Sequence, residues 1–248
     1  MSTDRIDKIL AHEGFGTRKD VRKYFRASQV LVNGKVITDP GFHCDIDKDE
    51  ISVDGEILNI QKNIYLMMNK PQGVVCANKD GLHDTVFSLL DEQYRVGFAL
   101  ENLHLIGRLD IDTEGLLIFT TDGKLTHRLI SPKTNCPKKY FVRLEHPVSE
   151  SEKKEYDDCV SKGIHIPAED NEDEADCLPA KIEFTDKDDE VFLTIVEGKY
   201  HQVKRMFRAL DNKVIYLKRV SINELKLDEN LATGSYRKMT EEEVALLG

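Results

Sequence analysis

Residues 107–123 read GRLDIDTEGLLIFTTDG, the most unusual stretch in the chain. The apolar run 116–121 predicts a buried strand, which the Asp122-Gly123 turn ends. Gly107 and Gly115 bracket the preceding loop, which carries Arg108, Asp110, Asp112, Thr113 and Glu114. Loops that adjoin buried strands often hold catalytic or binding side chains. The pattern predicts a loop that presents a catalytic acid, and a solvated surface turn is the alternative.

Two further segments combine basic and apolar side chains. Residues 197–210, EGKYHQVKRMFRAL, predict an amphipathic helix whose apolar positions are Val203, Met206, Phe207 and Leu210. The basic residues Lys204, Arg205 and Arg208 lie around the rest of that helix. Residues 138–144, KKYFVRL, predict a strand on which Tyr140 is flanked by basic residues. Taken alone, Tyr140 is either a core aromatic residue or a platform for a stacked base.

The first 60 residues predict a compact module of two helices and a β-hairpin. The helices are predicted at 4–12 and 17–26, and the hairpin turns at Asn33-Gly34. In the second helix three basic residues are spaced four apart, namely Arg18, Arg22 and Arg26. This spacing predicts a cationic stripe along the helix, and an ordinary solvated helix face is the alternative.

From residue 64 onward strands and helices intermix. We predict strands near residues 103–106, 116–121, 139–145, 180–185, 190–196 and 213–219. We predict helices near residues 84–91, 123–130, 149–159, 200–210 and 240–247. Because adjacent strands often lack an intervening helix, residues 64–248 should form an α+β domain with a mixed, mostly antiparallel sheet flanked by helices. Residues 168–176 read AEDNEDEAD and predict a solvated acidic loop.

Charge is distributed unevenly along the chain. The formal net charge is −10, and residues 150–190 alone hold 16 acidic and 5 basic side chains, so the remainder is close to neutral. Within that remainder, residues 204–219 hold six basic side chains and one acidic one. Since physiological salt screens charges beyond roughly 8 Å, an acidic protein can still present a basic face.

Composition excludes several classes of protein. No apolar stretch approaches the roughly 18 residues of a membrane helix, and the charged N-terminus lacks a signal core. The five cysteines are scattered without a CxxC pair, which favours reduced thiols over disulfides or a zinc site. We therefore expect a cytoplasmic protein with no metal.

The three segments, in the order GRLDIDTEGLLIFTTDG, KKYFVRL and EGKYHQVKRMF, closely resemble the RsuA family of ribosomal RNA pseudouridine synthases. The first 60 residues resemble the S4 RNA-binding module of that family, and NKPQGVV (69–75) and SPKTNCPKKY (131–140) also fit. The resemblance implies an S4-like domain at 1–60 and a catalytic domain at 64–248. The HQVKRMF segment and the surroundings of Cys136 resemble the members that act on small-subunit rRNA.

The resemblance also implies roles for individual residues. Asp110 becomes the catalytic acid, Tyr140 packs on the target uracil, and Lys204 pairs with Asp110 where many sister synthases use Arg. Arg108 steadies the space that the flipped base vacates, and Arg205 joins Arg18, Arg22 and Arg26 as a substrate-binding residue. The implied enzyme isomerises uridine in rRNA without a cofactor. It would act as a monomer on rRNA or an assembling small ribosomal subunit.

Three alternative functions remain. A large-subunit rRNA synthase of the same family would use the same residues on another RNA. A non-catalytic S4-type RNA-binding protein would leave Asp110, Tyr140 and Lys204 without a role. A glycosidase-like hydrolase would use Asp110 with Asp112 or Glu114, at one of the carboxylate separations that such enzymes require.

Overall fold

Apolar side chains gather into separate cores in two units of the chain. The computed structural model describes residues 3–46, 48–58, 60 and 63–248. Unit 1 comprises Met1–Ile64 and Leu90–His104, and unit 2 comprises Tyr65–Leu89 and Leu105–Gly248. Unit 1 therefore includes residues 90–104, which lie in the predicted second domain. Among the described residues no helix is long and apolar enough to cross a membrane.

Unit 1 contains short helices and a small antiparallel sheet. Its elements are β1 (Asp4–Arg5), α1 (Ile6–His12), α2 (Arg22–Arg26), β2 (Val30–Val32), β3 (Lys35–Val36), β4 (His43–Cys44), β5 (Ile51–Val53), β6 (Glu56–Ile57) and α3 (Gly97–Asn102). The sheet has the order β3-β2-β5-β6, and β1 pairs with β4. Ile6, Ile9 and Leu10 point into the unit's core, as the helical pattern predicts.

The β-hairpin forms where the sequence places it. Asn33 and Gly34 have φ values of +50° and +75°, and Val32 pairs with Lys35 across the turn. Asparagine and glycine tolerate this left-handed backbone better than other residues, so the tight turn costs little free energy.

The second predicted helix is shorter than the expected 17–26. Residues 18–21 form a turn, and α2 begins at Arg22. The Thr17 hydroxyl donates to Asp20 Oδ2 at 2.6 Å, and the Asp20 backbone N–H donates to the Thr17 hydroxyl. These side-chain bonds close a turn in place of the first helical turn. The cationic stripe is therefore not a single helical face, because Arg18 lies outside the helix.

Unit 2 is built on a nine-stranded sheet. Its elements are β7 (Tyr65–Lys70), β8 (His104–Leu105), β9 (Glu114–Thr120), α4 (Gly123–Ile130), β10 (Lys138–Leu144), α5 (Glu150–Lys162), β11 (His165–Ile166), β12 (Ala175–Asp176), β13 (Lys181–Phe184), β14 (Glu190–Ile195), α6 (Gln202–Arg208), β15 (Val214–Ile222), β16 (Leu225–Lys226), β17 (Tyr236–Lys238) and α7 (Glu241–Ala245). The strand order is β13-β14-β10-β15-β9-β7-β17, with β16 beside β15 and β8 beside β9.

The sheet is mixed and mostly antiparallel, as predicted. Along its strand order only β15 and β9 run parallel, with Arg219 paired to Gly115. Capping boxes form at Ser149–Glu152 and Thr240–Glu243, where α5 and α7 begin. The predicted α-helix at 84–91 is wrong, because this segment makes only a 3-10 turn at Val86–Leu89. The α+β class is confirmed.

Candidate active site

The backbone of the loop between Gly107 and Gly115 is hydrogen-bonded to a buried lysine. Lys70, at the end of β7, is completely buried, and its Nζ donates to the carbonyl oxygens of Pro71, Asp110 and Thr113 at 2.9–3.0 Å. Burial lowers the pKa of Lys70, although nearby acidic groups oppose the effect. The bonds to two carbonyls of one loop fix the backbone from which the Asp110 side chain projects.

Asp110 and Lys204 meet although 94 residues separate them in the chain. Lys204 Nζ lies 2.9 Å from Asp110 Oδ2 and 2.6 Å from Asp112 Oδ1. Burial disfavours the charged ammonium, but hydrogen bonds to Asp112 and Asp110 outweigh burial, so the pKa of Lys204 is raised. The Asp112 side chain is 61% exposed, whereas that of Asp110 is 28% exposed. Asp110 is thus the more enclosed of the two carboxylates.

A cavity of about 1100 Å³ opens beside this ion pair. Asp110, Arg108 and Tyr140 all contribute to its lining. Tyr140 lies on β10 and is buried, and it pairs across the sheet with Leu193 on one side and Arg219 on the other. The structure thus brings an acid, an aromatic ring and an exposed arginine to one cavity, which has room for a nucleotide, and the acid is paired with Lys204.

Arg219 is a buried cation at this cavity that the sequence analysis did not identify. It lies on β15, and its Nε donates to the Leu116 carbonyl at 2.8 Å. Its Nη2 has no hydrogen-bond partner among the described residues. Because unsatisfied buried donors are unusual, this guanidinium is suited to interact with a polar group of a bound ligand. Its paired neighbour Tyr140 projects from the same face of the sheet.

The predicted role of Arg205 is wrong. Arg205 is only 2% exposed, and its guanidinium donates to the carbonyl oxygens of Pro167, Tyr200 and Asp173. The helical pattern placed Arg205 on the polar side of α6. However, the segment that contains Asp173 covers that side, so the guanidinium satisfies backbone groups and is withdrawn from substrate.

The acidic segment 168–176 is also not simply solvated. The Glu169 side chain is 15% exposed and lies 2.7 Å from Arg208 Nη2 and 3.2 Å from His201 Nδ1. His201 in turn has its Nε2 3.8 Å from Asp110 Oδ1. Neither His201 nor Glu169 is recognisable as a site residue from sequence patterns, because the contact joins two loops that are distant in the chain.

The three N-terminal arginines belong to unit 1. Arg18 Nη2 lies 3.0 Å from Asp7 Oδ2, and Arg5 binds the same carboxylate at 2.9 Å. Burial opposes ionisation of Asp7, but the bonds from Arg5 and Arg18 outweigh it and lower the pKa of Asp7. Arg22 and Arg26 are exposed, and neither has an ion pair in the described part of the chain. Of the predicted stripe, Arg22 and Arg26 are therefore the two arginines available to a phosphate.

Comparison with known proteins identifies the family of the chain. A model for RNA pseudouridylate synthase matches residues 64–209, and a model for the S4 domain matches residues 4–51. The chain is 43% identical over 248 residues to the uncharacterized RNA pseudouridine synthase YtzG of Bacillus subtilis, and 98% of each chain is covered. It is 41% identical over 244 residues to ribosomal small subunit pseudouridine synthase A of Haemophilus influenzae, with 98% and 99% covered.

A solved crystal structure of a pseudouridylate synthase gives the same result. It matches with a TM-score of 0.66 at 40% identity, covering 98% of this chain and 99% of that one. The matches extend over both units and include the loop that carries Asp110. The chain therefore belongs to the RNA pseudouridylate synthase family, as its resemblance to the RsuA synthases predicts.

Proposed function

We propose that this chain isomerises uridine to pseudouridine in 16S (small-subunit) ribosomal RNA, with Asp110 as the reacting carboxylate. The observation that carries the proposal is the 2.9 Å ion pair between Asp110 and Lys204 beside a cavity that Tyr140 also lines. The relatives named as small-subunit synthases support this choice of RNA. A cytoplasmic location and action as a monomer, on rRNA or an assembling subunit, belong to the same proposal.

The reaction needs an ionised carboxylate beside the ribose. The N1–C1′ bond breaks, the uracil turns, and C5 joins C1′. Asp110 either attacks C1′ or removes the C2′ proton, and Lys204 stabilises the charged carboxylate in both routes. A cation at about 4 Å contributes roughly 4 kcal/mol of Coulomb energy at an effective dielectric constant of 20.

The target nucleotide has to leave the RNA stack before Asp110 can reach it. Tyr140 presents an aromatic surface inside the cavity, and stacking on such a ring returns about 1–3 kcal/mol per base. Arg108, exposed at the cavity, is suited to steady the position that the base vacates. We assign Asp110, Tyr140 and Lys204 to catalysis and Arg108 to substrate binding on this basis.

Mapping of new pseudouridines tests the proposal directly. Both rRNAs from a strain that lacks the gene are treated with the purified protein, and each nucleotide is assayed for pseudouridine. We expect one new modification in 16S rRNA. Modification of 23S rRNA alone would replace the proposed substrate with the large-subunit alternative, whereas release of free uracil would indicate a glycosidase-like hydrolase.

Substitution of Tyr140 separates stacking from proton transfer. We expect Tyr140→Phe to keep the single-turnover rate near wild type. We expect Tyr140→Leu to lose about 10-fold to 100-fold, since stacking on a flat ring is worth about 1–3 kcal/mol. Equal losses in both variants would assign the role to the hydroxyl group. Wild-type rates in the leucine variant would remove Tyr140 from the mechanism.

The exposed arginines of unit 1 predict a salt-dependent contribution to RNA binding. We propose an S4-like RNA-binding domain at 1–60 and a catalytic domain at 64–248. Each phosphate contact that is lost lowers the magnitude of the slope of log K against log salt by roughly 0.7–0.9. Arg22→Ala/Arg26→Ala should therefore lower the magnitude of this slope by about 1.4–1.8 and raise KM. The rate of the chemical step on bound RNA should change little.

The matched control removes two lysines from the acid-rich residues 150–190. Lys162 and Lys181 are exposed and pair with Asp158 and Glu183. Lys162→Ala/Lys181→Ala should leave the salt slope unchanged. An unchanged slope in the arginine variant as well would show that Arg22 and Arg26 face water in the complex. Arg18 is tested alone, because Arg18→Ala also breaks its ion pair with Asp7.

A further inference from the structure

His201 lies between two carboxylates at the edge of the cavity. Its Nδ1 is 3.2 Å from Glu169 Oε2, and its Nε2 is 3.8 Å from Asp110 Oδ1. The ring stacks on Tyr200 with centroids 3.8 Å apart, and the Tyr200 hydroxyl donates to Asp170. Arg208 binds the far side of Glu169 at 2.7 Å. The imidazole is therefore held in one orientation by several neighbours.

The contacts also distinguish the two ring nitrogens. A carboxylate accepts hydrogen bonds, so Glu169 favours the tautomer in which Nδ1 carries the proton. In that neutral tautomer Nε2 has a free lone pair that faces Asp110. A carboxylate oxygen is itself an acceptor and does not bind that lone pair, and at 3.8 Å it lies beyond hydrogen-bond range of Nε2. His201 thus offers a basic nitrogen at the cavity.

From this geometry, and on the basis of the proposed function, we propose that His201 is the base that removes the proton from C5 in the last step of the isomerisation. Glu169 is proposed as the residue that positions it. Once C5 has joined C1′, C5 bears both that bond and its original hydrogen. The C5–H bond must then break, and its electron pair forms the C5=C6 double bond.

The step balances without any further reactant. As the C5=C6 bond forms, the pair of the former C6=N1 bond moves to N1, which takes a proton from solvent. His201 Nε2 accepts the C5 proton, and the resulting imidazolium returns a proton to solvent. The net change is the transfer of one proton from C5 to N1, with no oxidation or reduction.

Position favours His201 over Asp110 for this step. Asp110 acts at the sugar, at C1′ or C2′, so the base that serves the neighbouring C5 must lie within a few ångströms of Asp110. His201 Nε2 meets this requirement. Asp110 itself is paired with Lys204 at 2.9 Å.

The test uses full-length RNA substrate that carries deuterium at C5 of the target uridine. His201 has φ +46°, a left-handed conformation that glycine adopts readily, so His201→Gly should fold normally. We expect this variant to lose about 100-fold or more in single-turnover rate. We also expect a larger deuterium isotope effect than in wild type, because C5–H cleavage becomes limiting. Added imidazole should restore part of the rate.

Two further variants separate catalysis from structure. His165 is another histidine of this region, exposed and bonded to Asp176. His165→Gly should retain the wild-type rate and should not respond to imidazole. Glu169→Gln should slow the reaction less than His201→Gly does. It should also raise the deuterium isotope effect above that of wild type, without a change in KM.

Two results would overturn the inference. One is a His201→Gly rate within threefold of wild type. The other is a slow His201→Gly variant whose isotope effect is unchanged and which imidazole does not rescue, since this would indicate a structural role. Failure of the proposed function gives a different result, namely wild-type protein that forms no pseudouridine in either rRNA.

Discussion

Asp110→Asn is expected to lower the rate of pseudouridine formation by at least about 1000-fold and to leave RNA binding close to that of wild type. Asparagine has the size and polarity of aspartate but cannot ionise. It therefore cannot attack C1′ or accept a proton from C2′. The comparison requires single-turnover rates at saturating enzyme, together with an equilibrium binding curve for the same RNA.

The substitution should not disturb the loop. Asp110 contributes its backbone carbonyl to Lys70, and this bond survives any change of side chain. Lys204 keeps its second partner, Asp112, at 2.6 Å. The melting temperature of Asp110→Asn should therefore stay near that of wild type, so that a loss of activity reports on chemistry. Residual turnover within tenfold of wild type would remove Asp110 from its proposed role.

The neighbouring acids serve as matched controls. Asp112 is the more exposed carboxylate and competes with Asp110 for Lys204. Glu114 accepts a hydrogen bond from the Tyr216 hydroxyl at 2.7 Å, which a glutamine oxygen can also accept. We expect Asp112→Asn and Glu114→Gln each to retain substantial activity. A loss as large as that of Asp110→Asn in either variant would argue for a pair of acids, as in a glycosidase.

Local elements of the fold could be predicted because their causes are local. The Asn33-Gly34 hairpin depends on two residues that tolerate positive φ. Helix α4 begins at the Asp122 cap, and its bounds, Gly123–Ile130, agree with the prediction. By contrast, β17 pairs with β7, which lies about 170 residues earlier in the chain. Nothing in the short Tyr236–Lys238 run indicates that partner.

The candidate site shows the same division between features with local causes and features with long-range causes. Patterns and resemblance predicted Asp110, Tyr140 and Lys204, and the resemblance already paired Lys204 with Asp110. The structure places this ion pair beside the cavity that Asp110 and Tyr140 line. Lys70 and His201 were missed, because their importance lies in contacts with the distant Asp110 loop. Arg205 was misassigned for a related reason: a helical pattern marks the apolar face but does not show which segment covers the polar one.

Gly115→Ala is expected to lower the free energy of unfolding by more than about 3 kcal/mol. Gly115 has φ +102°, and a Cβ there would lie 2.2 Å from the Arg219 carbonyl oxygen. The collision arises because β9 and β15 approach closely where Gly115 pairs with Arg219, and the positive φ adds backbone strain. The chain cannot relieve the collision by moving a side chain, since the obstructing atom belongs to the backbone. Chemical denaturation of purified protein measures the loss.

Two other glycines separate strain from collision. Gly73 also has positive φ, +85°, but a Cβ there meets nothing within 4 Å, so Gly73→Ala should cost only about 1–2 kcal/mol. Gly123 opens α4 in open space without positive φ, so Gly123→Ala should be neutral or stabilise by about 0.5–1 kcal/mol. If Gly115→Ala were no worse than Gly73→Ala, the β9–β15 contact would be looser than described. The loop that carries Asp110 would then lack the rigid support that its proposed chemistry requires.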